Sequence, residues 1–273
     1  MKSARVRCEI ECNMSNIATY ELRGAVAVIA LNRPEKRNAL SRAMVAALHT
    51  SFERAANDDA VRCVILTGSG PAFCAGMDLD ELRGTLSGTS GNGIVWEDAH
   101  QLSALYERIY TLPKPTIAAI NGSAVAGGAG LMTVCDLAVA VPDAKIGYPE
   151  VRRGLVAAMV LPHLLRHVGE RAARWLLLTG ELVDAVGALR LGLVNSVASA
   201  EELMNVAMNW SQACAAGGPK AIATTKELLR RCSQHAMSVT ELATASAEPR
   251  LTDECRGGLQ AFFDKKPSPW ATT

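Results

Sequence analysis

The sequence predicts an α/β fold in which strand–helix units come first and helices follow. Three observations carry this. Apolar, β-branched runs of strand length recur at residues 25–31, 61–67 and 116–120. The second and third open into glycine-rich loops, residues 68–79 and 121–130. From Val156 onward apolar residues recur at three- and four-residue spacing, as in Leu161, Leu164 and Leu165, or Leu203, Ala207 and Trp210.

Taken in order, residues 17–33 read as two strands about a turn at Arg23 and Gly24. Ser41 is placed to cap a helix whose Met44, Leu48, Phe52 and Ala55 share one face, with Asn57, Asp58 and Asp59 ending it. Residues 61–67 form a buried strand leading to the first loop. Residues 84–95, rich in Gly, Ser and Thr, predict a mobile loop. A helix is expected over 97–111, stopped by Leu112, Pro113, Lys114 and Pro115. Strand 116–120 leads into the second loop, a helix over 127–135 follows, and 137–141 and 144–147 read as short strands. The expected organisation is an irregular extension over 1–16, a core over 17–200 and a helical region over 201–273.

A chain of 273 residues with 49% hydrophobic and 20% charged residues suits one large globular core with a helical extension. A net charge of +1 gives no electrostatic case for a nucleic-acid partner. None of the eight cysteines forms a C-x-x-C pair, and their spacing matches no metal site. The expectation is reduced core cysteines in a cytoplasmic protein. No apolar run near the start is long enough for a signal peptide, and none approaches the ~18 residues of a membrane span.

The glycine loops carry the chemistry. Small residues let a ligand approach backbone N–H groups, and a helix N-terminus adds partial positive charge. Two such loops can aim two N–H donors at one oxygen, which makes an oxyanion hole.

Several motifs then occur in one order: Leu31-Asn32-Arg33-Pro34-Glu35-Lys36-Arg37-Asn38-Ala39-Leu40, Phe73 through Leu79, Ala118 through Gly128, Cys135 through Ala140, Tyr148-Pro149-Glu150, Leu178-Thr179-Gly180, Gly192-Leu193-Val194 and Ala261 through Pro267. By these the chain resembles the crotonase superfamily, the enoyl-CoA hydratase/isomerase family, over about residues 17–270. A single A-G-x-D-L motif is weak evidence, whereas the ordered set is specific. The resemblance implies a crotonase-like spiral of ββα units with a C-terminal α-helical trimerisation region. It also implies a homotrimer or dimer of trimers and an acyl-CoA thioester substrate, with coenzyme A part of the substrate and no separate cofactor. It places the two oxyanion donors at Met77 and Gly127. It assigns substrate and CoA contacts to Lys36, Arg37, Ala39, Ala75, Gly76, Asp78, Leu79, Gly128 and Pro149, with Lys36 and Arg37 toward the phosphates. Glu35 stands where many hydratases of the family carry a basic residue.

The same resemblance implies two glutamates for hydration. One falls at Glu150, the acid–base candidate; the other falls at Gly130, where the carboxylate is missing. Val156-Ala157-Ala158 replaces a Pro-Gly-rich turn, and Ala158 stands where a dehalogenating relative needs an aspartate. Asp80, Glu97 and Asp98 are substitutes for the missing acid, read by default as solvated helix-start residues. One carboxylate suffices for a Δ3–Δ2 double-bond shift, so hydration and isomerisation both stay open. So does the alternative of a catalytically weak acyl-CoA-binding homologue. RNA binding, known among relatives, gains no support from the near-neutral charge.

Overall fold

The computed structural model describes residues 17–86, 91–234 and 238–271. The expected 1–16 extension, with Cys8 and Cys12, lies outside the described residues, as do positions 87–90 of the expected loop.

Two sheets are built side by side. The larger has the order β1 (Ala18–Arg23), β2 (Val26–Leu31), β3 (Cys63–Gly68), β5 (Thr116–Ile120), β7 (Leu137–Ala140) and β10 (Ser196–Val197). Only β1 and β2 are antiparallel; the rest pair in parallel. The smaller has the order β4 (Ala72–Cys74), β6 (Ser123–Val125), β8 (Lys145–Gly147) and β9 (Leu182–Asp184). Strands β3, β5 and β7 of the large sheet are each followed directly by β4, β6 and β8 of the small one, and helices then return the chain. This repetition is the ββα spiral. Strands β4, β6, β9 and β10 are too short to give an alternation in the sequence, so β4 and β6 were hidden inside the two glycine loops.

Helix α1 (Arg42–Asn57) begins at Ser41, whose hydroxyl accepts the Met44 N–H at 3.2 Å. Its Met44, Leu48, Phe52 and Ala55 are fully buried. At ~2 kcal/mol for each large apolar side chain, this stripe accounts for the helix better than its propensity does. Helices α2 (Leu79–Leu86) and α3 (Gly91–Tyr110) occupy most of the segment expected to be a mobile loop. Residues 84–86 and 91–95 are helical, and α3 starts six residues before the expected 97. Once α3 nucleates on its buried Leu102, Leu105, Tyr106 and Ile109, each further residue adds one hydrogen bond. That outweighs the cost of ~1 kcal/mol per glycine at Gly91 and Gly93.

Helix α4 (Gly127–Thr133) follows β6, and a 3-10 turn, Pro149–Arg153, follows β8. Then come α5 (Leu161–Thr179), broken at Gly169, α6 (Ala185–Leu191), α7 (Leu203–Ala215), α8 (Pro219–Gln234), α9 (Val239–Ala247) and α10 (Asp253–Phe263). Helix α7 packs on β3, β5 and β7, with Leu203 and Ala207 in the central core. Among the described residues no helix is long and apolar enough to cross a membrane.

Candidate active site

The loop after β4 and the loop after β6 are neighbours because β4 and β6 pair in parallel, Ala72 with Ser123 and Cys74 with Ala124. Two asparagine amides, Asn38 buried and Asn121 half-buried, hold the first loop. Asn38 donates to the carbonyls of Ser69 (2.9 Å) and Ala72 (2.7 Å), and its oxygen accepts the Arg33 N–H. Asn121 accepts the Gly68 N–H at 3.0 Å and donates to Gly70 O at 2.9 Å. Close approach demands glycine at 128: a Cβ there would lie 2.7 Å from Cys74 Cβ and closer still to the Cys74 carbonyl oxygen. Gly76, at φ +89°, brings its chain within 3.3 Å of the Gly127 nitrogen, measured from an added Cβ.

Met77 and Gly127 meet in this junction. Met77 bridges Leu40 in parallel: Leu40 N–H donates to Gly76 O (2.8 Å) and Asp78 N–H to Leu40 O (3.0 Å). That pattern turns the N–H of Met77 itself away from Leu40. Gly127 is the first residue of α4, where an amide has no helical partner. Neither amide donates to a backbone group among the described residues. The residue before Gly127, Ala126, is held at φ 53°, ψ −124°, a conformation rare for a side-chain-bearing residue. Its N–H is tied to Gly147 O at 2.9 Å.

Both residues line a cavity of about 550 Å³. Of the residues singled out from sequence, Lys36, Arg37, Ala39, Ala75, Met77, Asp78, Leu79, Gly127 and Glu150 border it. Gly76, Gly128, Pro149 and Gly130 lie behind its wall. Leu155, Val156, Ala157, Met159 and Val160 form one apolar side.

Glu150 enters from the 3-10 turn after β8. The turn is anchored by Tyr148, fully buried, whose hydroxyl shares a 2.5 Å hydrogen bond with Thr133 at the end of α4. Glu150 Oε2 is buried and has no hydrogen-bond partner among the described residues. Burial raises the Glu150 carboxyl above its ordinary value, against the opposing pull of its own amide N–H and the Arg153 guanidinium.

The substitutes considered for the missing acid are each bonded to another side chain, Asp80 at the edge of the cavity. Asp98 takes two hydrogen bonds from Arg42 (2.6 and 2.7 Å), Asp80 pairs with Lys36 (2.9 Å), and Glu97 accepts from Gln101 (2.7 Å). Asp78 is a structural partner: Arg33 Nη1 donates to it at 2.9 Å. Burial pushes the Asp78 carboxyl up, but the Arg33 bond and the amides of Asp80 and Glu81 outweigh that and hold it below its ordinary value. Among the described residues no cluster of three or more His, Cys, Asp or Glu is arranged to hold a metal.

The sequence reading missed Tyr106. It is 3% exposed, borders the cavity, and donates to Gly127 O at 2.7 Å. Its i, i+3, i+4 spacing with Leu102, Leu105 and Ile109 marked only a core stripe, and a phenol at one end of such a stripe was the available signal.

The family model for enoyl-CoA hydratase/isomerase matches residues 21–273. The chain belongs to the enoyl-CoA hydratase/isomerase family. A Thermus thermophilus protein provisionally named an enoyl-CoA hydratase is 44% identical over 90% of this chain and 97% of its own length. The short-chain-enoyl-CoA hydratase of Clostridium acetobutylicum is 33% identical, covering 92% of this chain and 96% of its own. A crystal structure of an enoyl-CoA hydratase/isomerase from Marinobacter aquaeolei superposes with a TM-score of 0.86 at 34% identity, over 93% of this chain and 99% of that one. The two-sheet ββα spiral is therefore the crotonase fold, and the cavity is the candidate active site of an enoyl-CoA hydratase/isomerase family enzyme.

Proposed function

We propose that the chain acts on an enoyl-CoA thioester through an enolate, with Glu150 moving the proton. In this reading the thioester oxygen sits between the N–H groups of Met77 and Gly127, which neutralise its developing charge without reorganising. The observation that carries it is that Met77, Gly127 and Glu150 border one cavity, while among the described residues neither amide donates to the backbone and Glu150 Oε2 has no partner. A carboxyl raised by burial is poised closer to neutrality and suits proton transfer in both directions. Coenzyme A arrives as part of the substrate, with Lys36 and Arg37 toward its phosphates at the cavity mouth. Hydration of a trans-2-enoyl-CoA and Δ3–Δ2 migration both follow from this constellation. The named hydratase relatives support the first.

The experiment is to supply trans-2- and 3-enoyl-CoAs and follow hydration and double-bond migration separately, with Glu150→Gln alongside. Loss of both activities in the variant is expected; turnover that survives overturns the assignment of Glu150. Gly130 favours a second reading, a catalytically weak acyl-CoA-binding homologue. Tight acyl-CoA binding with no turnover on either substrate decides for it.

Assembly as a homotrimer or dimer of trimers belongs to the same proposal, as does a cytoplasmic location. Leu251, Phe262 and Phe263 in the C-terminal region expose large apolar surfaces that self-association would cover, Phe262 being 74% and Phe263 71% exposed in the single chain. Cys63, Cys74 and Cys135 are free and buried, which fits a reducing compartment.

A further inference from the structure

We propose that the Tyr106 hydroxyl, acting with Glu150, holds the water that adds to the substrate double bond, so that one carboxylate and one phenol do the work of a hydratase. This rests on the reading of Glu150 as the proton carrier.

Gly130 has no side chain because Tyr106 fills the space. A Cβ on Gly130 would lie 2.5 Å from Tyr106 Cζ and 3.0 Å from Cε2, and nearer still to the hydroxyl oxygen. The phenol therefore stands where a side chain from 130 would begin. Its hydroxyl also lies beside the oxyanion residue, 3.4 Å from where a Cβ on Gly127 would be.

The hydrogen bonds then fix its role. The phenolic proton is committed to Gly127 O at 2.7 Å, which leaves the hydroxyl oxygen free to accept. Glu150 Oε2 also lacks a donor, and both residues border the cavity. With a Glu150 carboxylate oxygen turned to the cavity, a water giving one hydrogen to it and one to the phenol oxygen presents a lone pair to the acyl chain. Burial first, then the neighbouring Cys74, Tyr148 and Glu150, keeps the phenol protonated well above its ordinary range, so Tyr106 orients the water and does not deprotonate it.

The step balances through Glu150 alone. As the water oxygen bonds to C3, one water proton passes to the Glu150 carboxylate. The C2–C3 π pair moves through the carbonyl carbon to the thioester oxygen as an enolate. Glu150 then returns that proton to C2, and the net change is addition of H and OH across the double bond.

The test compares two reactions of the full chain and its Tyr106→Phe variant. One is hydration of trans-2-butenoyl-CoA. The other is exchange of the C2 hydrogens of butanoyl-CoA into D2O, which needs the oxyanion donors and Glu150 but no attacking water. For Tyr106→Phe, hydration kcat is expected to fall about 10²-fold, with KM within about threefold and exchange reduced less than about tenfold. Gly130→Ala, which displaces the phenol while keeping its hydroxyl, is expected to skew the same ratio. Equal losses in both reactions would show that Tyr106 only props Gly127, and unimpaired hydration would show that it holds no water; either overturns the proposal. A wild-type chain that shifts 3-enoyl double bonds but never adds water overturns it too, while the enolate reading stands. Exchange that persists in Glu150→Gln identifies instead a failure of the Glu150 assignment.

Discussion

Arg33 and Asp78 form a part-buried ion pair, 2.9 Å between Nη1 and Oδ2, that ties the segment before α1 to the residue following Met77. The same guanidinium nitrogen donates to Ala39 O at 3.0 Å. Side-chain exposures of 19% and 7% leave the pair only partly screened by solvent. Asp78→Ala leaves the Arg33 cation without its partner in the loop wall, and a stability loss of about 1–2 kcal/mol is expected in urea unfolding. The sign with pH follows from the lowered Asp78 carboxyl. The pair's contribution is complete above the ordinary carboxyl value and disappears as pH falls through the lower folded-state value. A wild-type minus Asp78→Ala difference that stays constant through that acid window would contradict this.

Restoring a carboxylate at 130 by Gly130→Glu is expected to destabilise the chain by about 2 kcal/mol through overpacking against Tyr106, with no gain in hydration. Adding Tyr106→Ala should relieve the collision. A double-mutant cycle read by thermal or urea unfolding is predicted to give a coupling of at least ~1 kcal/mol; strict additivity would mean the two sites do not share space.

Glu150→Gln is expected to remove activity and yet raise stability at neutral pH. Burial lifts the carboxyl in the folded state, so the charged form weakens folding above that raised value, and the penalty vanishes below the ordinary glutamate value, where both states are protonated. Melting curves of both proteins should therefore diverge near neutrality and converge in acid. In the wild type the acid limb of the pH–rate profile should lie above the ordinary glutamate value.

Lys36 is paired with Asp80 across the mouth of the cavity, and both side chains are largely exposed. Such a pair is worth little, so an incoming phosphate can displace Asp80. Asp80→Asn is predicted to lower the acyl-CoA KM about threefold at low ionic strength, and Lys36→Ala to raise it by a similar factor. Both effects should shrink as salt screens them. Salt-independent changes would remove Lys36 from the phosphate contacts.

What the sequence reveals depends on how local the cause is. Strands β2, β3 and β5 and helix α1 were legible because burial leaves a continuous or periodic apolar pattern, and Ser41 because a cap acts within three residues. The segment around α2 and α3 was misread because its composition favours a loop, while the helix is driven by burial at Leu102 to Ile109, outside it. Strands β4 and β6 are three residues each, so only partners distant in sequence define them. At the candidate site, Met77, Gly127 and Glu150 came from motif position. Tyr106 did not, because its relation to Gly130 is a contact in space between an ordinary core stripe and an absent side chain.

The β4–β6 pairing also sets what substitution can and cannot retune. The gap between the Met77 and Gly127 amides is measured along two short backbones clamped by one ladder, with glycine required by close approach at 76 and 128. Exchanging residues other than those glycines reshapes the walls around a ligand but leaves that gauge nearly fixed. Adding or deleting a single residue between Cys74 and Met77 changes the gauge itself, whatever residue is chosen. Variation at those other positions is thus free to reshape the cavity by replacement, while the spacing of the two amides is sensitive to loop length and to the two glycines.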